Sequence, residues 1–299
     1  MKITEQLLTQ WGACSDGKRT FTQKFPEGAE YKEVIAACDE DGHRDYRTWI
    51  FNHAFQHLVA SEIVEAETDL VPKEIEKGLE PLQLLDSTET KNTDTISKEA
   101  SSRLAASGFN SQLAASGRYS QLAASGDDSR LAASGFNSRL AASGRYSQLA
   151  ASGDDSQLAA SGDDSRLAAS GFNSRLAASG RYSQLAASGR YSQLAASGDD
   201  SRLAASGFNS RLAASGDDSR LAASGFNSRL AASGENSVIA SSGLDSTFQI
   251  GKGGCAAIAY QDEQEKIRFA VAYEGENVKA NTWYKVNAKG EFVEVETQS

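Results

Sequence analysis

The sequence is short of the features that mark several common protein classes. Its 299 residues include three cysteines, Cys14, Cys38 and Cys255, an odd number with no CxxC spacing, which argues against a disulfide framework and for free thiols. No uninterrupted apolar run approaches the roughly eighteen residues a membrane helix needs. The opening stretch MKITEQLLTQWG lacks the apolar centre of a signal peptide, so a soluble chain made in the cytoplasm is expected. Positive charge is also scarce: 30 Lys and Arg stand against 40 Asp and Glu, a net charge of −10. The acidity is concentrated in residues 1–100, which carry 11 basic and 20 acidic side chains, whereas residues 101–245 carry 13 and 12. A nearly neutral middle and an acidic first third offer no basic stripe for nucleic acid. Of the three prolines, two fall between residues 67 and 100.

What fills the middle of the chain is a repeat. From Ser102 to Asp245 the sequence runs as sixteen units of nine residues, S-x-L-A-A-S-G-z-z, decaying at the end into SVIASSGLD. Such periodicity marks a stacked fold in which each unit buries its apolar side only against its neighbours. A glycine in every unit, at about 1 kcal/mol each relative to alanine, argues against helix. A short strand fits, because alternation sends Ser, Leu and the second Ala to one face and Arg or Gln, the first Ala and the second Ser to the other. In the unit that starts at Ser174, the inward set is Ser174, Leu176 and Ala178. The following Gly180 is expected to supply a permissive backbone at a corner, leaving both members of the variable pair in water.

The pairs come from a short menu. Phe-Asn occurs as Phe109 with Asn110, Phe136 with Asn137, Phe172 with Asn173, Phe208 with Asn209 and Phe226 with Asn227. Arg-Tyr includes Arg118 with Tyr119, Arg145 with Tyr146 and Arg181 with Tyr182, and Asp-Asp includes Asp127 with Asp128. With two units per coil, Asp-Asp stacks on Arg-Tyr four times, whereas three units per coil would place Arg118 over Arg145. At about 4.8 Å between coils such contacts matter, so the reading is eighteen residues per coil. Arg-Tyr is always followed by Ser-Gln, as at Gln121, Gln148, Gln184 and Gln193, so Arg avoids following Arg.

Residues 1–66 read as a helical domain, with helices over 3–11, 30–42 and 44–66 and a core stripe of Trp49, Ile50, Phe51, Phe55, Leu58 and Val59. Residues 67–101 form an acidic linker or docking segment. Residues 246–299 alternate apolar and polar residues around turns and read as a small antiparallel β cap, with strands near 255–260, 267–273, 282–286 and 291–295. Caps are needed because solenoid ends expose open strand edges. The fold expected is therefore mainly β: a β-solenoid of nonapeptide repeats between a helical N-terminal domain and a small β cap.

Thr282-Trp283-Tyr284 with Gly290-Glu291-Phe292-Val293-Glu294-Val295, joined to the nonapeptides, resembles the C-terminal pattern of a group of little-characterised tandem-nonapeptide proteins of bacteria and their phages. TQWGACSDGKRTF and EVIAACDEDGHRDYRTWIF are similar to the helical module of such proteins, with His43-Arg44-Asp45-Tyr46 where that pattern has Gly-Asp-Trp. The resemblance implies a β-solenoid and a cytoplasmic or phage-associated bacterial setting, and it brings no established activity.

Candidate chemistry is sparse. His53 and His57 are four apart on a helix, but no HExxH motif surrounds them. The Asp-Asp corners lack the GGxGxDxUx spacing of calcium-binding rolls and are interrupted by Arg-Tyr and Phe-Asn. The outward Arg or Gln, Ala and Ser are too charged and uneven for an ice-binding array. No metal, cofactor or catalytic residue is assigned, and no nucleophile elbow or phosphate loop is present. The reading is a non-enzymatic recognition or display scaffold, with the eighteen pair residues named above as contact points for a protein or surface partner, and with no nucleic-acid or membrane role. The alternative is a structural module in which the end domains oligomerise and the solenoid is a spacer.

Overall fold

The computed structural model describes residues 1–41, 43–54, 58 and 94–295. Residues 94–295 form two eleven-stranded sheets that face one another across a thin core. Each repeat unit contributes one four-residue strand, and successive units alternate between the sheets, so neighbours within a sheet lie two units apart. Leu176 of the strand Arg175–Ala178 is thus in register with Leu158 on one side and Leu194 on the other. Eighteen residues make one coil, as the stacking of the variable pairs indicates. The parallel ladder also continues through the corners, where Arg175 N–H donates to the Ser156 carbonyl at 2.9 Å and Tyr182 N–H to the Asp199 carbonyl at 2.9 Å.

Alternation sorts the side chains as the pleat requires. Ser174, Leu176 and Ala178 are all buried, and the same three columns run the length of the rod. The buried serine satisfies itself locally: Ser183 Oγ donates to the Gly180 carbonyl at 2.7 Å, and Ser165 Oγ to the Gly162 carbonyl at 2.7 Å. A polar column can therefore line an otherwise apolar interior without a desolvation penalty.

The corner works differently from the sequence expectation. The residue in the left-handed region is not glycine but the second member of each variable pair, with φ between 54° and 59° from Asn110 to Asp245. Asn and Asp tolerate that region best among residues with a side chain, which accounts for their prevalence there. Gly180 is required for a separate reason: a Cβ on it would collide with the backbone carbonyl of Gly162, one coil away.

The ladder reaches past both ends of the repeats. Asp94–Ser97 pairs in parallel with Gln112–Ala115 at one end, and Val238–Ser241 pairs in parallel with Cys255–Gln261 at the other. The C-terminal strands do not form a unit of their own but are divided between the sheets. Cys255–Gln261 continues into the antiparallel strand Ile267–Tyr273. Thr247–Ile250 pairs antiparallel with Tyr284–Val286, which pairs with Phe292–Glu294. Each parallel sheet thus ends in a reversed hairpin, and Phe248, Tyr284 and Phe292 plug the core at that end.

Among the described residues the N-terminal unit contains four helices, α1 (Glu5–Gln10), α2 (Ser15–Lys24), α3 (Tyr31–Glu40) and α4 (Arg44–Ala54), with a short strand pair joining Lys2–Ile3 to Ala29–Glu30. Thr4 caps α1, Cys14 Sγ accepts from Gly17 N–H at the start of α2, and Glu30 with Glu33 forms a capping box on α3. Helix α2 escapes the sequence pattern because it is polar on nearly every side and buries only Phe21. Ile50, Phe51 and Leu58 of the expected core stripe are buried, while Phe55, Val59 and the remainder of the expected helix to residue 66 lie outside the described residues, as does most of the linker.

Candidate interaction surfaces

The variable pairs form two rows along the rod, one on each edge, because consecutive units turn in opposite directions. One row begins with Phe109 and Asn110, continues through Asp127 and Asp128, Arg145 and Tyr146, and Arg181 and Tyr182, and is rich in acids. The other holds Arg118 and Tyr119, then Phe136 and Asn137, Phe172 and Asn173, Phe208 and Asn209, and Phe226 and Asn227, and is rich in aromatics. The structure divides these eighteen residues between opposite edges and does not gather them into one patch. The phenylalanines among them are well exposed, from 63% for Phe109 to 45% for Phe226.

The two members of a pair are not equivalent, and this corrects the expectation that both simply stand in water beside a glycine corner. Tyr119, Asp128, Asn137, Tyr146 and Asn173 are themselves the corner, with φ of 59°, 57°, 57°, 58° and 54°. Their backbone N–H groups are committed to the next coil. Tyr119 donates to the Phe136 carbonyl at 2.9 Å, Asp128 to that of Arg145 at 2.9 Å and Asn137 to that of Asp154 at 2.9 Å. Tyr146 donates to the Asp163 carbonyl at 3.0 Å and Asn173 to the Arg190 carbonyl at 2.9 Å. The side chains of Asn137 and Asn173 are only half-exposed, and Asn173 Nδ2 donates to Asp155 Oδ1 at 2.7 Å within the rod. The physical reason is the turn itself, which needs a left-handed residue after the first pair member and holds its amide against the neighbouring coil. Tyr119, Asp128 and Tyr146 turn their side chains outward, so their corner duty leaves that chemistry exposed.

Within a row, neighbours eighteen residues apart interact. Asp127 Oδ1 accepts the backbone N–H of Arg145 at 2.8 Å while its Oδ2 meets Arg145 Nη2 at 3.2 Å, and Asp163 treats Arg181 in the same way at 2.8 and 3.5 Å. The first of these bonds does not depend on the neighbour's side chain. Asp154 Oδ1 accepts from Phe172 N–H at 2.7 Å, and Asp199 Oδ1 accepts from Asp217 N–H at 3.0 Å, so an Asp-Asp pair can sit beside another. On the aromatic row, the Arg118 guanidinium lies 5.8 Å from the Phe136 ring centre and Arg190 lies 5.3 Å from that of Phe208. Asn227 Nδ2 donates to Asn209 Oδ1 at 2.7 Å.

The two sheet faces, built from one repeat, differ in what covers them. On one sheet, outward Ala195, Ala213 and Ala231 belong to the same apolar cluster as Ile3, Val34, Ile35 and Trp283. Gln193 of that face is buried and Arg211 nearly so, and desolvation, reinforced by neighbouring Arg229, pulls the Arg211 guanidinium down to about 9. On the other sheet, the equivalent alanines from Ala132 to Ala240 are exposed. Along both faces Arg and Gln alternate coil by coil, as in Arg139, Gln157, Arg175, Gln193, Arg211, until Arg211 meets Arg229 and Arg202 meets Arg220. Beyond the local rule that Arg avoids following Arg, the sequence carries this 36-residue period, visible between every fourth unit.

His53 packs against Trp11 and Trp49, with Nδ1 2.8 Å from the Trp49 carbonyl oxygen, and His57 lies outside the described residues. Among the described residues no group of three or more His, Cys, Asp or Glu is placed to hold a metal ion. Burial pushes the Cys38 thiol up to about 11. A cavity of about 340 Å³ lies among the helices, with Leu8, Phe21, Val34 and Ile50 in its wall beside the Lys24–Asp41 ion pair at 2.7 Å. No described helix is long and apolar enough to cross a membrane.

Fold and surfaces together define a β-solenoid scaffold with a helical N-terminal unit. Residues 1–59 match the family described as the YdhT N-terminal domain. Over 46 residues, 15% of this chain, the sequence is 52% identical to the "Uncharacterized protein YdhT" of Escherichia coli (strain K12), and the alignment spans 17% of that protein. No solved structure matches.

Proposed function

We propose that the chain is a non-enzymatic recognition scaffold, in which the solenoid displays aromatic, basic and acidic dipeptides along two edges to a protein or surface partner. The observation that carries this reading is the invariance of the corner backbone: φ at the second variable residue stays within 54° to 59° whether it is Asn, Tyr or Asp. Contact chemistry can therefore be exchanged without altering the scaffold. Exposed Phe, Tyr and Arg are also the residue types enriched at protein interfaces. The inward serine of each repeat is committed to the scaffold; Ser174 Oγ, for example, is buried and donates to the Gly171 carbonyl at 3.0 Å. The similarity of the N-terminal residues to a protein of Escherichia coli supports a bacterial setting.

The test is to shuffle the order of the pairs at constant composition and measure capture of partners from a bacterial lysate by the full chain. Loss of a partner held by the natural order supports recognition. Equal capture by shuffled and natural chains removes it.

A further inference from the structure

Both sheets present the same three outward columns, yet among the described residues it is the alanines of one sheet alone that pack against the chain's own N-terminal unit. The open sheet keeps an exposed alanine column bounded at one end by Ile96, 78% exposed, and at the other by the edge strand Ile267–Tyr273. That strand turns Ile267, Phe269, Val271 and Tyr273 outward, each between 44% and 59% exposed. A regular polar rod has no structural need for bulky apolar residues at the two ends of one face.

We propose that this open sheet is a self-association face, on which a second copy of the chain packs face to face with the rods antiparallel. Shape selects the direction. Were the rods parallel about a two-fold axis, Ile96 would meet its own copy, and so would the Ile267–Tyr273 row. The bulky ends would then hold the alanines between them apart. In the antiparallel arrangement offset by three strands from full overlap, Ile96 faces the partner's alanine column at Ala222, Ala150 faces Ala168, and the bulky edge strand projects beyond the partner's first strand.

Charge fits the same register. Arg202 then faces Gln112, Gln184 faces Arg130, and Arg166 faces Gln148, so each guanidinium meets a carboxamide acceptor rather than another guanidinium. Area suffices as well. Eight overlapping strands about 4.8 Å apart and five residues wide at about 3.3 Å cover roughly 630 Å² on each copy. The total of about 1,300 Å² lies within the range of stable specific interfaces.

Light scattering and sedimentation of the full chain, and cross-linking of full-length variants, test the proposal. A dimer is expected, with dissociation made on the order of tenfold or more easier by Ala168→Lys, an outward position whose substitution places like charges beside the two-fold axis. Ile96→Cys and Ala222→Cys chains, mixed and oxidised, are expected to cross-link to one another, with neither variant cross-linking through that position alone. The mixed cross-link also keeps the proposal testable should Ala168→Lys perturb folding. A strictly monomeric chain, a dimer indifferent to Ala168→Lys in a folded variant, or self-cross-linking of Ile96→Cys would each overturn it.

Discussion

Gly180 lies against the carbonyl of Gly162 in the adjacent coil, so closely that a Cβ at Gly180 would overlap that carbonyl. Two residues further on, Tyr182 occupies the left-handed region at φ 58°. The repeat thus separates two demands that glycine often meets at once, putting the close approach at one position and the unusual dihedral at another.

This separation predicts opposite responses. Gly180→Ala is expected to destabilise by about 1–3 kcal/mol or more, because the added methyl meets backbone that cannot move without parting two coils. Tyr182→Asn is expected to be neutral or stabilising by up to about 1 kcal/mol, while Tyr182→Val destabilises, since β-branching is poorly tolerated at positive φ. Urea unfolding of the three variants checks the order. A Gly180→Ala protein as stable as the parent would show that the coils are not held at this spacing.

The two serines of each unit should differ sharply. Ser183 is buried and donates to the Gly180 carbonyl at 2.7 Å, so Ser183→Ala leaves that carbonyl without its hydroxyl partner, at an expected cost of about 1–3 kcal/mol. Ser188 is exposed on the open face, and Ser188→Ala is expected to change stability by less than about 0.5 kcal/mol. Thermal unfolding of the pair is a direct comparison, and equal effects would mean that the inward column is wrongly assigned.

Much of this interior was legible in the sequence because a period of two, applied to S-x-L-A-A-S, admits only one apolar set, and because the stacking of Asp-Asp on Arg-Tyr favours eighteen residues per coil. Left-handed backbone at the variable pair was not legible: glycine is the usual marker of such a position, and here it marks a close contact instead. Tyr119 and Tyr146 in particular carry no sign of it, since tyrosine is an uncommon choice for positive φ. Nor could the sequence distinguish the two faces. Ala204 is exposed and Ala213 is buried, yet they occupy the same place in successive units. What differs is contact with Ile3, Val34 and Trp283, which are remote in sequence and carry no motif that announces where they dock.

Asp127 provides a prediction in acid. Its carboxyl is held below the ordinary carboxylate range first by the backbone N–H of Arg145 and then by that residue's guanidinium. Because the folded value is depressed, the stabilisation is present above the unfolded carboxyl's pKa and is lost as pH falls through the folded value. Since the backbone bond leads, Arg145→Ala should leave the Asp127 titration midpoint, followed by carboxyl NMR, still below that of an unstructured peptide. Return to the peptide value would show that the side chain, not the main chain, sets it.

Arg211 has the reverse sign. Burial and the Arg229 guanidinium disfavour its charged form in the folded state, where its pKa falls to about 9. A base depressed in this way burdens the fold fully at neutral pH, and the burden lifts as pH rises through the folded value toward that of the unfolded chain. The parent is therefore expected to gain stability relative to an Arg211→Gln variant between about pH 7 and pH 10.5, a comparison in which titrations common to both proteins cancel. Gln is also the residue that the coil-by-coil alternation places between two arginines, as Gln193 stands between Arg175 and Arg211. A stability difference that stays flat across this interval would mean that Arg211 is no more desolvated than an arginine of the open face, and that the N-terminal unit does not cover it.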